Sequence, residues 1–146
     1  MRALMKLMIL MCGLAMITLA ASPALAGESV TVEVRIIAAT ADGNDFDDEL
    51  EDIRNRLERG FSDYSSFEQL GRQSQQIRQG RSQNFSLPTG DTLTLSYNGS
   101  DDEFVKLGLV LENRLSTNLR ATSGSTFFQA GLNYQDGTLV LAITVE

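Results

Sequence analysis

Apolar and polar residues alternate along the segment that begins at residue 30. The stretch V-T-V-E-V-R-I, residues 30–36, places an apolar side chain at every second position. A period of two residues is typical of a β-strand with one buried face. Ile37, Ala38 and Ala39 continue the strand without a polar residue, which predicts that both of its faces are covered at that end. The turn residues D-G-N at 42–44 then end it.

The period changes in the next segment, where apolar residues are spaced by four, three, four and four positions: Phe46, Leu50, Ile53, Leu57 and Phe61. This spacing puts all of these side chains on one face of an amphipathic helix. Acidic residues crowd its first turns and arginines its last ones, which complements the helix dipole. We expect Asn44 or Asp45 to cap this helix, Gly60 to end it, and no second helix to follow.

Short alternating stretches separated by turn residues fill the chain after residue 62. Turn residues cluster near 80–81, 88–91, 98–102, 123–125 and 133–137. The N-G-S within the third cluster is interpreted as turn chemistry rather than as a glycosylation sequon. Such regular spacing predicts a mainly β (α+β) fold, an antiparallel sandwich or open barrel of about seven to eight strands with one amphipathic helix after the first strand.

The stretch 64–79 has few apolar residues and many glutamines, serines and arginines. We interpret it as one or two exposed edge strands. Four residues in and beside it, Arg72, Gln75, Arg78 and Arg81, are candidate contacts for a protein partner or for an anionic polysaccharide. The alternative is that polar side chains here protect an edge strand from aggregation. Exposed backbone on such an edge could equally accept a partner strand.

Residues 1–26 predict a secretory signal peptide, because two basic residues begin the segment, an uncharged stretch follows, and P-A-L-A ends it. Cleavage before Gly27 would leave one β-rich domain, 27–146, in the periplasm or outside the cell. Two alternatives stay open. The uncharged stretch is retained as a membrane anchor, or Cys12 is lipidated, although the residue before it is not small.

Removal of this segment changes the available chemistry. The only cysteine and all five methionines lie within it, and the chain has no histidine or tryptophan. The remaining domain therefore lacks the side chains of Cys–His and Ser–His catalysis and the usual zinc, copper and haem ligands. Losing Arg2 and Lys6 shifts the net charge from −7 to −9, which disfavours binding to nucleic acid or to an anionic membrane surface. We therefore expect a protein that is not an enzyme.

Acidic residues before the helix are candidate calcium ligands: Asp42, Asn44, Asp45, Asp47 and Asp48. Calcium prefers several oxygen ligands from a flexible loop. The EF-hand spacing fails, because a loop starting at Asp42 has Phe46 at a ligand position and Asp47 at the glycine position. An irregular calcium site is one interpretation, and it is the only cofactor that the sequence suggests. An acidic helix start that complements the helix dipole is the other interpretation.

Two catalytic arrangements have little support in the sequence. A chain with 19 acidic residues will contain some pair of carboxylates at a glycosidase-like separation, and Tyr64, Tyr97 and Tyr134 are the tyrosines that could stack a sugar. Ser–Lys catalysis would depend on Lys106, the only lysine after residue 6, and no S-x-x-K or G-x-S-x-G motif accompanies it.

Three segments carry a resemblance to known proteins: V-T-V-E-V-R-I-I-A-A at 30–39, L-P-T-G-D-T-L-T-L at 87–95, and T-F-F-Q-A-G-L-N-Y-Q-D-G-T-L-V-L-A-I-T-V at 126–145. Together with the signal peptide and the single helix, they resemble small secreted β-rich proteins of envelope-rich bacteria that have no assigned function. The last segment is also similar to the closing β-hairpin of outer-membrane secretins. This resemblance implies a location near the outer envelope and transfers no catalytic residue to the chain.

These observations predict a non-enzymatic secreted or periplasmic domain that acts through protein contacts, as an accessory of a cell-envelope assembly. Its partner would be an envelope protein, and only an uncleaved signal peptide would bring it into a membrane. The alternative is a module that binds calcium or a small ligand such as a glycan. A third, less favoured hypothesis is a glycoside hydrolase that uses acidic residues alone.

Overall fold

The computed structural model describes residues 28–112 and 114–146, so the predicted signal peptide, its cleavage site before Gly27 and Cys12 lie outside the described residues. Within them, no helix is both long and apolar enough to cross a membrane. The elements follow one another in this order: β1 (Ser29–Thr40), a 3₁₀ helix (Asp48–Ile53), α1 (Arg54–Gly60), β2 (Ser66–Arg78), β3 (Ser82–Ser86), β4 (Thr92–Asp101), β5 (Phe104–Leu111), β6 (Leu115–Thr122), β7 (Thr126–Tyr134) and β8 (Gly137–Val145).

The eight described strands form two antiparallel sheets of four strands each. Sheet A has the order β2-β1-β8-β7, and sheet B has the order β3-β4-β5-β6. Strands of the two sheets are not hydrogen-bonded neighbours, so the fold is a sandwich and not a continuous barrel. The predicted mainly β fold with one short helical segment after the first strand is confirmed.

The main core lies between the two sheets and is built from the apolar positions that alternate along each strand. β1 contributes every second residue from Val30 to Ile36, and β8 contributes its own alternate positions from Leu139 to Val145. Sheet B contributes large side chains from three of its strands to this core. Among them are Phe85, Leu95 and Leu107, all fully buried.

A second, smaller core lies on the opposite face of sheet A, beneath the helical segment. Ile37 and Ala39 of β1 and Val140 of β8 point to this side and contact Leu50 and Leu57, all fully buried. The prediction that both faces of β1 are covered at its end is therefore confirmed. The molecule has three layers, which are the helical segment, sheet A and sheet B.

Of the predicted apolar face of the helix, Leu50, Ile53 and Leu57 are helical and buried, whereas Phe46 and Phe61 lie outside the helical segment. The predicted start and end of the helix are therefore wrong. The segment Asp45–Asp47 is extended, because the Asp47 N–H donates to the Phe67 carbonyl (3.0 Å) and the Phe67 N–H donates to the Asp45 carbonyl (2.9 Å). The helical segment therefore begins at Asp48 as a 3₁₀ helix, and Asp47 caps it by accepting from the Glu49 N–H (3.1 Å). Gly60 is the last residue of α1 and not a left-handed stop after it.

The predicted turn at 98–102 is also displaced. β4 continues to Asp101, and the register shift between Tyr97 and Ser100 makes Asn98 and Gly99 a β-bulge. Gly99 has a φ of 99°, which the bulge requires and a side chain would disfavour. The chain reverses after this bulge at Asp102, whose φ of 50° marks the tight turn into β5.

The docking of the helical segment on sheet A should dominate its contribution to stability. We expect Leu50→Asp to lower the free energy of unfolding by on the order of 3 to 5 kcal/mol, because it buries an unpaired charge in the second core. Asn55→Asp, which adds the same charge to an exposed position of α1, is the matched control and should change stability little. Urea denaturation followed by circular dichroism measures both, and equal effects would show that Leu50 is not docked.

Candidate functional site

The exposed edge of β2 is the candidate site, because it offers unpaired backbone on the predicted stretch 64–79. β2 is a single strand of 13 residues at the border of sheet A. It pairs with β1 on one side, and on its other side an isolated parallel bridge joins Phe67 to Phe46. The prediction of one or two edge strands thus resolves to one. Ile77 faces the main core and Phe67 faces the second core, so these two buried side chains hold the strand near its ends.

The direction of the backbone groups along β2 follows from the ladder beside it. The Thr31 N–H and carbonyl exchange hydrogen bonds with Glu146 (3.0 and 2.8 Å), so the backbone of Thr31 faces β8. The backbone groups of neighbouring residues in a strand point to opposite sides, so those of Val32 point toward β2. The backbone groups of its partner Gln75 therefore point toward β1. Ser74 and Gln76 therefore direct their N–H and carbonyl groups away from the sheet.

One end of this edge is already covered. The extended segment Asp45–Asp47 runs beside the start of β2, and the Asp47 carboxylate accepts a hydrogen bond from the Gln69 N–H (3.1 Å). A register shift opposite Ile36 and Ile37 follows directly, so the pairing pattern restarts beyond it. By alternation, the backbone groups of Arg72, Ser74 and Gln76 face outward, and we call these three residues the open edge of β2.

Side chains reach outward carbonyls on the edge strands β3 and β7. The side-chain amides of Gln73 and Gln75 point inward from β2 and donate to the carbonyls of Ser86 (3.0 Å) and Asn84 (3.4 Å) on β3. Across the molecule, the Arg56 guanidinium donates to the carbonyl of Thr126 on β7. These contacts satisfy outward carbonyls that would otherwise attract a foreign strand.

Two further side-chain contacts involve β7. The Arg56 guanidinium carbon also lies 4.7 Å from the centre of the Phe128 ring, which is a cation–π distance. The Gln129 side-chain amide donates to the Ala130 carbonyl at 2.8 Å. The helical segment and the edge of sheet A are thereby connected by one side chain.

The fourth edge, β6, differs from β2 in how firmly it is held. Its inward residues Leu115 and Leu119 are only half-buried, and Thr117 between them is exposed. β2, in contrast, pairs along its length with β1, which is packed on both faces at one end. A rigid edge loses less conformational freedom when a strand is added, so β2 is the better template and β6 is a natural comparison.

The structure does not bring the four predicted contact residues together in one patch. Arg72 and Arg78 lie on the outer face of β2 and are exposed, whereas the Gln75 side chain occupies the inner face. Arg81 lies in the turn that leads to β3, where its carbonyl accepts from the Tyr97 N–H (3.1 Å). The sequence contains one signal of this arrangement. Gln73 and Gln75 are separated from the buried Ile77 by even numbers of positions, so they share its inner face of the strand.

An ion-pair network on the outer face of sheet A fixes Arg72. Arg35 is nearly buried and forms a bidentate pair with Asp52, with N–O distances of 2.9 and 2.8 Å. Its Nε lies 3.3 Å from Glu33 Oε1, and Glu33 in turn pairs with Arg72 at 2.9 Å. The network joins the 3₁₀ helix to β1 and β2, and it turns the Arg72 side chain toward β1.

The Arg35–Asp52 pair also changes the ionisation of both partners. Hydrogen bonding to Arg35 holds the pKa of the Asp52 carboxyl below its usual range. The hydrogen bond from Asp52 raises the pKa of the Arg35 guanidinium further, against the opposing effect of burial. The pair therefore stabilises the fold only while Asp52 is ionised.

Among the acidic residues proposed for calcium, Asp47 uses its carboxylate to bind backbone groups, whereas Asp42 and Asp45 form hydrogen bonds through their own backbone. The two carboxylate oxygens of Asp47 accept from the Glu49 and Gln69 N–H groups, both at 3.1 Å. The Asp42 carbonyl accepts from the Ser66 hydroxyl at 2.6 Å, and that hydroxyl oxygen accepts from the Asp45 N–H at 3.1 Å. The remaining candidates, Asn44 and Asp48, are exposed.

Over residues 28–112 and 114–146, no three acidic side chains form a group that could hold a metal ion. Calcium binding here stays a prediction. It would be revealed by a melting temperature that rises more in millimolar calcium chloride than in sodium chloride of equal ionic strength.

Of the tyrosines considered for sugar stacking, Tyr97 is fully buried, and its hydroxyl lies 2.7 Å from the Ser100 hydroxyl.

Comparison of the chain with known protein families, with curated proteins and with solved structures finds no match. The geometry of the described residues is therefore the basis for assigning a function.

The network should give the protein a pH-dependent increment of stability. We expect Asp52→Asn to lower the free energy of unfolding near neutral pH by about 1 kcal/mol or less, because Asp52 stays more than half exposed. Since the folded-state pKa of Asp52 is depressed, this increment is present above the ordinary aspartate pKa of about 3.9 and is lost as the pH falls below it.

Thermal unfolding of both proteins between neutral and acidic pH measures the difference. Asp63→Asn removes an exposed carboxylate in the turn after α1 and serves as the matched control. A difference between wild type and Asp52→Asn that does not shrink with acidification would contradict the assigned pair.

Proposed function

We propose that this protein is a non-enzymatic secreted or periplasmic domain that acts by protein contact and accepts a strand of an envelope protein along the open edge of β2. The observation that supports the proposal is the backbone direction along β2. The backbone groups of Arg72, Ser74 and Gln76 face outward from a long, firmly held strand. Side chains from neighbouring segments reach outward carbonyls of β3 and β7, and the 45–47 segment covers the start of β2.

Strand addition obtains its affinity from main-chain hydrogen bonds and its selectivity from alternate side chains. The added strand would place alternate side chains beside Arg72, Ser74 and Gln76 on the outer face. Arg78, exposed at the far end of that face, favours an acidic residue on the partner. The bulge beside Gln69 and the segment Asp45–Asp47 would set the limit of the added strand at the other end.

Polar edge chemistry supports both of the functions considered for this stretch. Charged side chains on an edge strand discourage indiscriminate pairing, and Arg72 and Arg78 provide them here. A partner with complementary charge overcomes this barrier, whereas another copy of the same arginine-bearing edge does not. Protection from aggregation and selective docking are thus compatible on the same edge.

Proline substitution tests the edge directly. Ser74→Pro removes an N–H that faces outward and places a ring where the added strand would lie, while leaving the β1–β2 ladder intact. We expect it to weaken capture of the native partner from the cell envelope by about tenfold or more, since one hydrogen bond is lost and close approach is blocked. A photo-cross-linker at position 76, followed by mass spectrometry, identifies the partner and measures the change.

Asn118→Pro is the matched control, because its N–H faces outward on the competing edge β6. It should leave partner capture unchanged, and circular dichroism and melting temperature should confirm that both variants are folded. Retained capture with folded Ser74→Pro, or loss with Asn118→Pro alone, would refute docking on β2.

A further inference from the structure

The outer face of sheet B carries a cluster that the open edge of β2 does not use. The helical segment covers sheet A only, so the outward positions of sheet B in the described residues are exposed or half-exposed. They are mostly small and polar: Thr94, Ser96 and Asn98 on β4, and Ser116 and Asn118 on β6. Such a face is flat, hydrated and rich in hydrogen-bonding groups.

Two cations lie directly opposite each other in the middle of this face. Lys106 of β5 and Arg120 of β6 are register partners, which puts their Cα atoms about 4.5–5.5 Å apart. Like charges in this arrangement destabilise a sheet. Within the described part of the chain neither forms an ion pair, whereas Arg35 and Arg72 on sheet A are paired with acids. An acidic protein thus retains an unneutralised cation pair on one face.

A depression adjoins the cation pair, and Gly108 lies between two of the residues that line it. A methyl group at Gly108 would lie 3.5 Å from the Asn98 amide nitrogen and 3.6 Å from the Asn118 amide oxygen, so two side-chain amides line the gap. The depression has a volume of about 530 Å³ and is lined by Asn98, Lys106, Leu107, Asn118, Leu119 and Arg120. Cations and amides therefore converge on one concave spot.

Apolar side chains flank the same spot. Phe104 and Val110 are the large apolar residues that the described structure leaves exposed, at 42% and 41%. Both share the outward face of β5 with Lys106 and Gly108. Exposed apolar surface beside convergent polar groups is typical of a binding site. A sugar that extends from the depression past Lys106 would reach the exposed Phe104 ring, which suits the apolar C–H face of a pyranose.

We propose that this surface binds an acidic saccharide. The Arg120 guanidinium matches a carboxylate in bidentate geometry, and the Lys106 ammonium adds a second positive charge. The Asn98 and Asn118 amides can both donate to and accept from sugar hydroxyls. The site lies on the opposite sheet from the open edge of β2, so it does not depend on the proposed partner strand.

The test is a titration of the purified isotope-labelled protein with oligogalacturonate, followed by NMR. We expect saturable shifts in the amide resonances of residues 106–108 and 118–120, and none with a neutral galactan oligomer. Arg120→Gln should weaken binding by about tenfold, the equivalent of one lost charge-assisted interaction. Arg59→Gln removes an exposed arginine from α1, on the far side of sheet A, and should leave binding unchanged.

Gly108→Val tests the shape of the depression without changing the charge of the site. The backbone of Gly108 is not left-handed and a Cβ there meets its nearest atoms at ordinary contact distance, and circular dichroism should show that the variant is folded. The variant should weaken binding, because its side chain narrows the space between the Asn98 and Asn118 amides. The melting temperature gives an independent readout: Lys106→Gln should raise it, because a like-charge contact is removed while binding is lost.

Several results would overturn the proposal. These are no saturable shift with oligogalacturonate, equal binding of the neutral oligomer, full binding by folded Gly108→Val, or a lowered melting temperature in Lys106→Gln. Inorganic phosphate that shifts the same resonances with equal or higher affinity would show a site for small anions and would overturn the saccharide assignment.

Discussion

A sandwich of two four-stranded sheets has four edge strands, and the backbone groups along those edges must find partners or face water. This constraint organises much of the molecule beyond its cores. The Gln73 and Gln75 side chains on the inner face of β2 donate hydrogen bonds to carbonyls of β3. Arg56 leaves the helical segment to reach the edge of β7. None of these contacts reaches the open edge of β2, which is a short stretch of outward-facing backbone.

β1 makes that stretch a rigid surface. The strand is central in sheet A, contributes to the main core on one face and contacts the helical segment on the other. The Arg35–Asp52 pair adds a lateral connection between the helical segment and the sheet. Because β2 pairs with such a strand over its whole length, its edge is held in a strand geometry before any partner arrives.

Patterns that are local in the chain could be predicted from the sequence, and patterns that depend on distant segments could not. The period of two over 30–36 and the apolar spacing from Leu50 to Leu57 specify β1 and the buried helical face, because core burial imposes both. The extended Asp45–Asp47 segment depends on pairing with Phe67, twenty residues away or more, which no local pattern records. The bulge at Asn98 and Gly99 has the composition of a turn, so the sequence predicts a turn where the strand continues.

The candidate sites show the same division. The polar, weakly anchored stretch 64–79 identified the edge strand, but only the ladder fixes which residues face outward. The sequence identifies Lys106 as the only lysine after residue 6. Its position opposite Arg120 depends on the register between β5 and β6, which the sequence does not specify.

We conclude that β2 presents outward backbone groups at alternate residues. Amide hydrogen exchange of the free protein, measured residue by residue by NMR, is the decisive measurement of this arrangement. The structure predicts strong protection at Gln73 and Gln75 and rapid exchange at Ser74 and Gln76. Protection at Ser74 and Gln76 equal to that at Gln75 would mean that the edge is already occupied or that the register differs, and it would contradict the account.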